Sequence, residues 1–281
     1  NTIAGTLGFA SMRAYDIKLN DKQTDGGASA AAMQASIKNA GVTPCHSYAT
    51  AIADADIVMS VVTADQAAHV AGLSARYLKE GALYLDMNSC APSTKQVAAE
   101  SLDKSGASYV DVAIMAPIQP RGHLTPMLAA TADADAARAR LAGVGLEPRF
   151  VGTEIGRAAT IKMLRSVMIK GMEALTAECF RAAVRAGVHE DVAASLDASE
   201  GGPSWADRAA YNIERMTEHG MRRAAEMREV AKTLQELNVA PAMTTGTIAW
   251  EQQLGELDLT LDARAPLTEV MAHIEAALKT N

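Results

Sequence analysis

Apolar residues follow two different patterns along this chain, and the change comes near residues 152–156. Before it, short apolar runs alternate with helical stretches. Runs at 57–62 (IVMSVV), 82–86 (ALYLD), 108–114 (SYVDVAI), 126–131 and 149–151 read as strands. Unbroken apolar runs, rather than alternating ones, mark strands buried on both faces, so a parallel sheet covered by helices is expected. Residues 11–16 read as a further strand that ends in an acidic residue, Asp16. Residues 2–4 read as the beginning of a strand that runs into Gly5 and Gly8, and Gly26-Gly27 reads as a turn before a helix of small residues. After residue 156 the strand signals stop. Helices are predicted at 156–187, 189–196, 204–216, 218–238, 243–254 and 266–279. The expected fold is an α/β Rossmann-type domain with a parallel sheet over residues 1–155, followed by an all-α domain over 156–281.

Residues 156–187 form the longest helical pattern. It has no proline, and only Gly171 interrupts it before Gly187. At 1.5 Å per residue it would span roughly 45 Å. Its first half is apolar on several sides, through Ile161, Met163, Leu164, Val167, Met168 and Ile169, as in a buried helix. Yet Lys162, Ser166 and Lys170 recur every four residues on one stripe, with Arg165 beside them. Two readings follow. The side chains snorkel along a wet face, or Lys162 is held out of water and is a candidate acid/base group.

Composition narrows the choice of partners. A length of 281 residues suits two domains, and 49% apolar residues suffice for packed cores. A net charge of −7 argues against nucleic acid, whose phosphates need clustered Lys and Arg. Cys45, Cys90 and Cys179 are widely spaced, with neither metal-ligand spacing nor an even disulfide set, which fits a reducing cytoplasm. No apolar run approaches membrane-spanning length, so no membrane partner is expected.

Ligands on a parallel sheet bind beyond the carboxyl ends of its strands. The residues expected there are Asp16, Val62-Thr63-Ala64, Asn88-Ser89 and Met115-Ala116-Pro117. An acidic residue at the end of the second strand of a dinucleotide-binding unit accepts hydrogen bonds from the adenosine ribose. That unit should open with a glycine-rich turn, which here is reduced to Gly5 and Gly8. The expectation is that residues around this turn were left out of the sequence and that the natural protein carries them.

In this order the pieces resemble the β-hydroxyacid dehydrogenases, the family of 3-hydroxyisobutyrate and 6-phosphogluconate dehydrogenases, over most of the chain. Tyr15-Asp16 matches the family's second strand end, where Asp goes with NAD rather than NADP. Asp86-Met-Asn-Ser-Cys-Ala-Pro92 resembles its Asp-Met-Ser-Thr-x-x-Pro turn near the nicotinamide. Asp111-Val-Ala-Ile-Met-Ala-Pro117, followed by Gly122-His-Leu-Thr-Pro-Met127, resembles its substrate loop. Gly156-Arg-Ala-Ala-Thr-Ile-Lys162 is similar to the Gly-x-Gly-x-x-x-Lys that opens the long interdomain helix and delivers the catalytic lysine.

Two departures fall on the substrate side. Met115-Ala116-Pro117 replaces the family's Ser-Gly-Gly, and Ser166, preceded by Arg165, replaces its Asn. A substrate other than hydroxyisobutyrate is expected. The run from Glu218 to Met227 resembles a less characterised branch with its own helical domain.

The resemblance implies NAD across the strand ends, contacting Asp16, Val62, Thr63, Asn88 and Ser89. Lys162 would accept the proton of a small hydroxy acid or sugar acid as hydride leaves, with Ser166 supporting it and Met115, Ala116, Pro117, His123 and Arg165 on the substrate. A β-keto product could then lose carbon dioxide. Arg222, Arg223 and Glu226 are candidates to close the site, and Cys90 is not read as a nucleophile. A homodimer is implied, because the long helix packs on a partner subunit in similar proteins. Imine reduction and a non-catalytic NAD-binding role are the alternatives. Lys162 favours hydroxyl chemistry over the former.

Overall fold

The computed structural model describes residues 11–20, 28–199, 202, 204–262 and 265–280. The strand expected at 2–4, Gly5, Gly8 and the Gly26-Gly27 turn lie outside them. The chain divides into two compact units, Asn1–Lys162 and Met163–Asn281.

In the first unit, strands and helices alternate: β1 (Arg13–Ala14), α1 (Ala28–Asn39), β2 (Thr43–Pro44), α2 (Tyr48–Ile52), β3 (Ile57–Ser60), α3 (Ala67–Ser74), β4 (Leu83–Asp86), α4 (Pro92–Leu102), β5 (Ser108–Ile114), β6 (Met127–Ala130), α5 (Ala134–Ala142) and β7 (Arg149–Phe150). Strands β1 and β2 form a parallel pair, and β3-β4-β5-β6-β7 form a five-stranded sheet in that order. Both faces of the larger sheet are covered, and the alternation of side chains along each strand shows how. Leu83, Leu85, Val110 and Val112 face Ala137 and Leu141 of α5. Their neighbours Tyr84 and Tyr109 face Ala71 of α3 and Ala98 and Leu102 of α4. Every residue of β4 is buried, as its unbroken apolar run predicts.

Two details differ from the sequence reading. Strand β6 runs antiparallel to β5, whereas the other pairs in the sheet are parallel. Residues 115–126 return the chain directly, without the crossover helix that a parallel neighbour needs. Strand β3 ends at Ser60, short of the predicted 62, and its Ile57, Val58 and Met59 are only half-buried.

The second unit is helical. Helix α6 (Arg157–Ala186) begins in the first unit and continues into the second, followed by α7 (His189–Ser199), α8 (Trp205–Glu236), α9 (Ala242–Gly255) and α10 (Leu267–Thr280). Phe180, Trp205, Ile213, Met216, Leu254 and Met271 centre its core. The two helices predicted at 204–216 and 218–238 are one 32-residue helix, longer than the 30-residue α6. Nothing at the predicted junction stops it. The Thr217 hydroxyl simply donates back to the Glu214 carbonyl at 2.8 Å.

Helix α8 opens where the Ser204 hydroxyl accepts the Asp207 amide at 3.1 Å. It closes where Asn238 takes a left-handed φ of 57° and the Val239 amide returns to the Leu234 carbonyl at 2.8 Å. Gly220 lies mid-helix, where glycine is normally unfavourable. A Cβ there would sit 2.8 Å from the Gly255 Cα, so the backbones of α8 and α9 nearly touch.

Candidate active site

The parallel register of β4 and β5 sets Asp86, the last residue of β4, beside Asp111 in the middle of β5, two carboxylates with no exposure. Such a pair needs a cation, and Lys95, on the first turns of α4, supplies it. Its fully buried amine donates to the Asp86 carbonyl at 2.6 Å and to Asp86 Oδ1 at 2.8 Å, and lies 3.7 Å from Asp111 Oδ1. The Tyr109 hydroxyl donates to Asp86 Oδ2 at 2.5 Å. Burial, reinforced by the Asp86 charge, pushes that phenol far above its usual range, so it stays a donor. Burial also pushes the Asp111 carboxyl up, against the opposing pull of Lys95 and of the Ala159 amide.

From this cluster two arms reach the strand ends. Asp86 Oδ1 accepts the Asn88 backbone amide at 3.0 Å and its side-chain amide at 2.7 Å. The side-chain nitrogen of Asn88 also donates to Ser60 Oγ at 3.1 Å, and its Oδ1 accepts the Val62 amide at 2.6 Å. Asn88 is thus a buried pin that fixes the loops after β3 and β4. On the other arm, Asp111 Oδ2 accepts the amides of Gly156 and Ala159, each at 3.1 Å. It caps the first turn of α6, where a negative charge is favoured. Gly156 has a φ of 98°, and a Cβ there would come within 3.1 Å of Pro92, so the approach to the helix depends on glycine.

Lys162 follows on the second turn of α6. It is half-buried, and its amine donates to Ser89 Oγ at 2.5 Å. The structure therefore brings Lys162, Ser89, Asn88 and Val62 to one group of strand ends. Val61 and Val62 are exposed beside it, as is Thr63.

Asp16 lies two residues beyond the end of β1, half-buried, with Oδ1 accepting the Lys18 amide at 2.9 Å. Because β1 pairs with β2, the Asp16 end lies alongside the residues that follow Pro44. Asn20 ties them together by donating to the His46 carbonyl at 3.0 Å. An open cleft of about 350 Å³ lies there, lined by Pro44, Cys45, His46, Ser47 and Thr50. A carboxylate beside a mixed apolar and hydroxyl-lined cleft fits the adenosine half of a dinucleotide.

Met115 and Ala116 are half-buried at the end of β5, Pro117 is exposed, and His123 is half-buried in the same loop. Of the residues after Lys162, Ser166 is buried and Arg165 is exposed. Lys170, on the same stripe, is buried and pairs with Glu226 at 3.0 Å, so the stripe is not a wet face along its length. Glu226 also pairs with Arg222. Arg223, expected as a closing group, is only 2% exposed and is engaged by Glu251 at 2.9 Å and by Glu173. Its position on α8 turns it into the helical core rather than toward solvent.

Lys95 was missed in the sequence, although a signal was present. A cation in the first turns of a helix opposes the helix dipole and needs a compensating partner.

Comparison with known proteins agrees with this architecture. Residues 21–140 match the NAD binding domain of 6-phosphogluconate dehydrogenase, and residues 183–254 match a domain of unknown function, DUF1932. A conserved hypothetical protein from Sinorhizobium meliloti 1021 is 33% identical, with 95% of this chain and 88% of that one covered and a TM-score of 0.73. The conserved protein MTH1747, of unknown function and described as structurally similar to 3-hydroxyacid dehydrogenases, is 31% identical. There the coverage is 78% of this chain and 82% of that one, at a TM-score of 0.62. The 3-hydroxyisobutyrate dehydrogenase of Mycobacterium tuberculosis, at 13% identity, 93% and 90% coverage and a TM-score of 0.66, shares the fold. The chain belongs to the β-hydroxyacid dehydrogenase family, in the branch that joins a 6-phosphogluconate dehydrogenase-type NAD binding domain to the helical domain of unknown function.

Proposed function

We propose that this protein is an NAD-dependent dehydrogenase that oxidises the hydroxyl of a small hydroxy acid or sugar acid. The observation that carries this reading is the Lys162 amine, fixed 2.5 Å from Ser89 Oγ at the strand ends where the family's cofactor domain binds its ligand. The bound dinucleotide supplies a hydride acceptor. Lys162, in its unprotonated form, accepts the hydroxyl proton, and Ser89 orients the amine. In the reverse direction the ammonium protonates the new alkoxide. Asp16 binds the adenosine ribose, and its negative charge disfavours the extra phosphate of NADP. Val62 and Thr63 line the nicotinamide side, and Asn88 pins their loop from beneath. Met115, Ala116, Pro117 and His123 shape the substrate side. Arg165 makes no ion pair among the described residues, and its planar fork suits a substrate carboxylate or phosphate.

A panel of hydroxy acids and sugar acids, each with NAD and with NADP, tests this reading. NADH is expected from at least one acid, with NAD favoured by about tenfold or more. Reduction of neither dinucleotide by any acid, together with NADPH-driven reduction of cyclic imines, would replace it with imine chemistry.

The working unit is proposed to be a homodimer in the cytoplasm. Leu164, Met168, Met172 and Leu175 recur along one face of α6 and are 40–65% exposed. A second copy is the occupant that family membership suggests. No described helix is long and apolar enough to cross a membrane, and the exposed free thiol of Cys179 suits a reducing compartment. Light scattering should give the dimer mass at micromolar concentration, and Met168→Glu should halve it. A monomeric wild type would rule the dimer out.

A further inference from the structure

We propose that the buried Asp86–Lys95–Asp111 triad is the positioning device for Lys162, with Lys95 as its centre. The proposal rests on the dehydrogenase reading only for its effect on turnover; the geometry stands by itself.

Both ends of the Lys162–Ser89 hydrogen bond trace back to one ammonium group, through a hydrogen bond on the Asp86 side and through charge across 3.7 Å on the Asp111 side. On one side, Lys95 holds Asp86, whose Oδ1 anchors Asn88, the residue before Ser89. On the other side, Lys95 faces Asp111, whose Oδ2 grips the amides of Gly156 and Ala159. An α-helix is stiff over one or two turns, so a shift at Ala159 is passed on to Lys162. Lys95, Asp86 and Asp111 have no exposure to solvent. They act through Lys162 and are positioning residues. A buried ion cluster is a poor source of stability, because desolvation offsets most of the attraction. It does fix geometry where it is hydrogen-bonded: Lys95 and Tyr109 hold the two oxygens of Asp86, and the two helix amides hold Asp111 Oδ2. Displacing a reacting group by about 1 Å costs on the order of a hundredfold in rate.

The test uses the full chain and reads the Lys162 amine directly, by trace labelling with acetic anhydride and mass spectrometry. Exposed Lys104 serves as the internal reference. Asp111→Asn keeps an oxygen for the two helix amides but removes the charge that faces Lys95. Lys95→Met keeps the stem and removes the ammonium. In both, Lys162 labelling relative to Lys104 should change by about threefold or more. With the acid found in the panel, kcat should fall about ten- to a hundredfold while KM stays within about threefold. Combining either change with Lys162→Ala should cause no further loss.

Unchanged labelling overturns the proposal, as does an equal loss of kcat in the Lys162→Ala background, which marks a merely structural role. Should both variants fail to fold, Tyr109→Phe removes a single donor to Asp86 and keeps the ring. It should shift labelling by a smaller factor, and no shift there also overturns the proposal. The two readings fail separately. Altered labelling with an inactive panel removes the dehydrogenase and keeps the device. Turnover that depends on Lys162, with unaltered labelling, removes the device and keeps the dehydrogenase.

Discussion

Replacing Lys162 with alanine should lower turnover by about a hundred- to ten-thousandfold while NAD binding stays within about twofold. The amine is 2.5 Å from Ser89 Oγ and belongs to the same unit as Asp16, Asn88 and the cleft beside Pro44, while the hydrogen bonds described for Asp16 and Asn88 run to other residues. Truncation is therefore expected to remove the proposed proton acceptor without dismantling the proposed cofactor platform. Loss of NAD affinity in parallel with turnover would mean that Lys162 is part of the cofactor site instead. Unchanged turnover would remove the proposed chemistry. Titration of cofactor fluorescence and steady-state kinetics separate the three outcomes. Activity should also fall toward acid pH, because only the unprotonated amine can take the hydroxyl proton.

Gly220→Ala should destabilise the helical unit by about 3 kcal/mol, lowering its thermal midpoint by roughly 10 °C. The new methyl group would meet the Glu251 carbonyl oxygen and, at 2.8 Å, the Gly255 Cα and nitrogen. Those are backbone atoms and cannot swing aside, so α8 and α9 must separate. Separation would also stretch the buried ion pair between Arg223 and Glu251, which joins the same two helices at 2.9 Å. Gly246, by contrast, has open space where a Cβ would stand. Gly246→Ala should therefore be neutral or slightly stabilising, through helix propensity alone. Equal melting temperatures for the two variants, measured by circular dichroism, would refute the close helix crossing.

Much of the architecture is legible in the residues because it depends on local periodicity. The buried strands β4 and β5 announce themselves as unbroken apolar runs. Helix α6 is bracketed by Gly156 and Gly187, and both take left-handed φ values, 98° and 71°. What escaped depends on distant partners. The direction of β6 is not encoded in its own four residues, MLAA, but in how the chain returns from β5. The unbroken course of α8 is hard to read at Thr217, a weaker helix former that lies between the two predicted stretches. Candidate site residues stood out where a motif carried them, as with Asp16, Ser89 and Lys162. Lys95 did not, because a lysine on a helix normally reads as solvated. Its partners, Asp86 and Asp111, become neighbours only through the register of two strands. Arg223 misleads in the opposite sense: a charged residue on a helix reads as available, and it is locked inward by two glutamates.

Since β6 turns back beside β5, the connection 115–126 both departs and re-enters at the strand ends where the Lys162 amine meets Ser89. No covering helix has to be rebuilt when that connection is rewritten. Under the proposed dehydrogenase reading, exchanging it between relatives is thus a direct engineering route to new acid preferences, with Lys162 and Ser89 left in place.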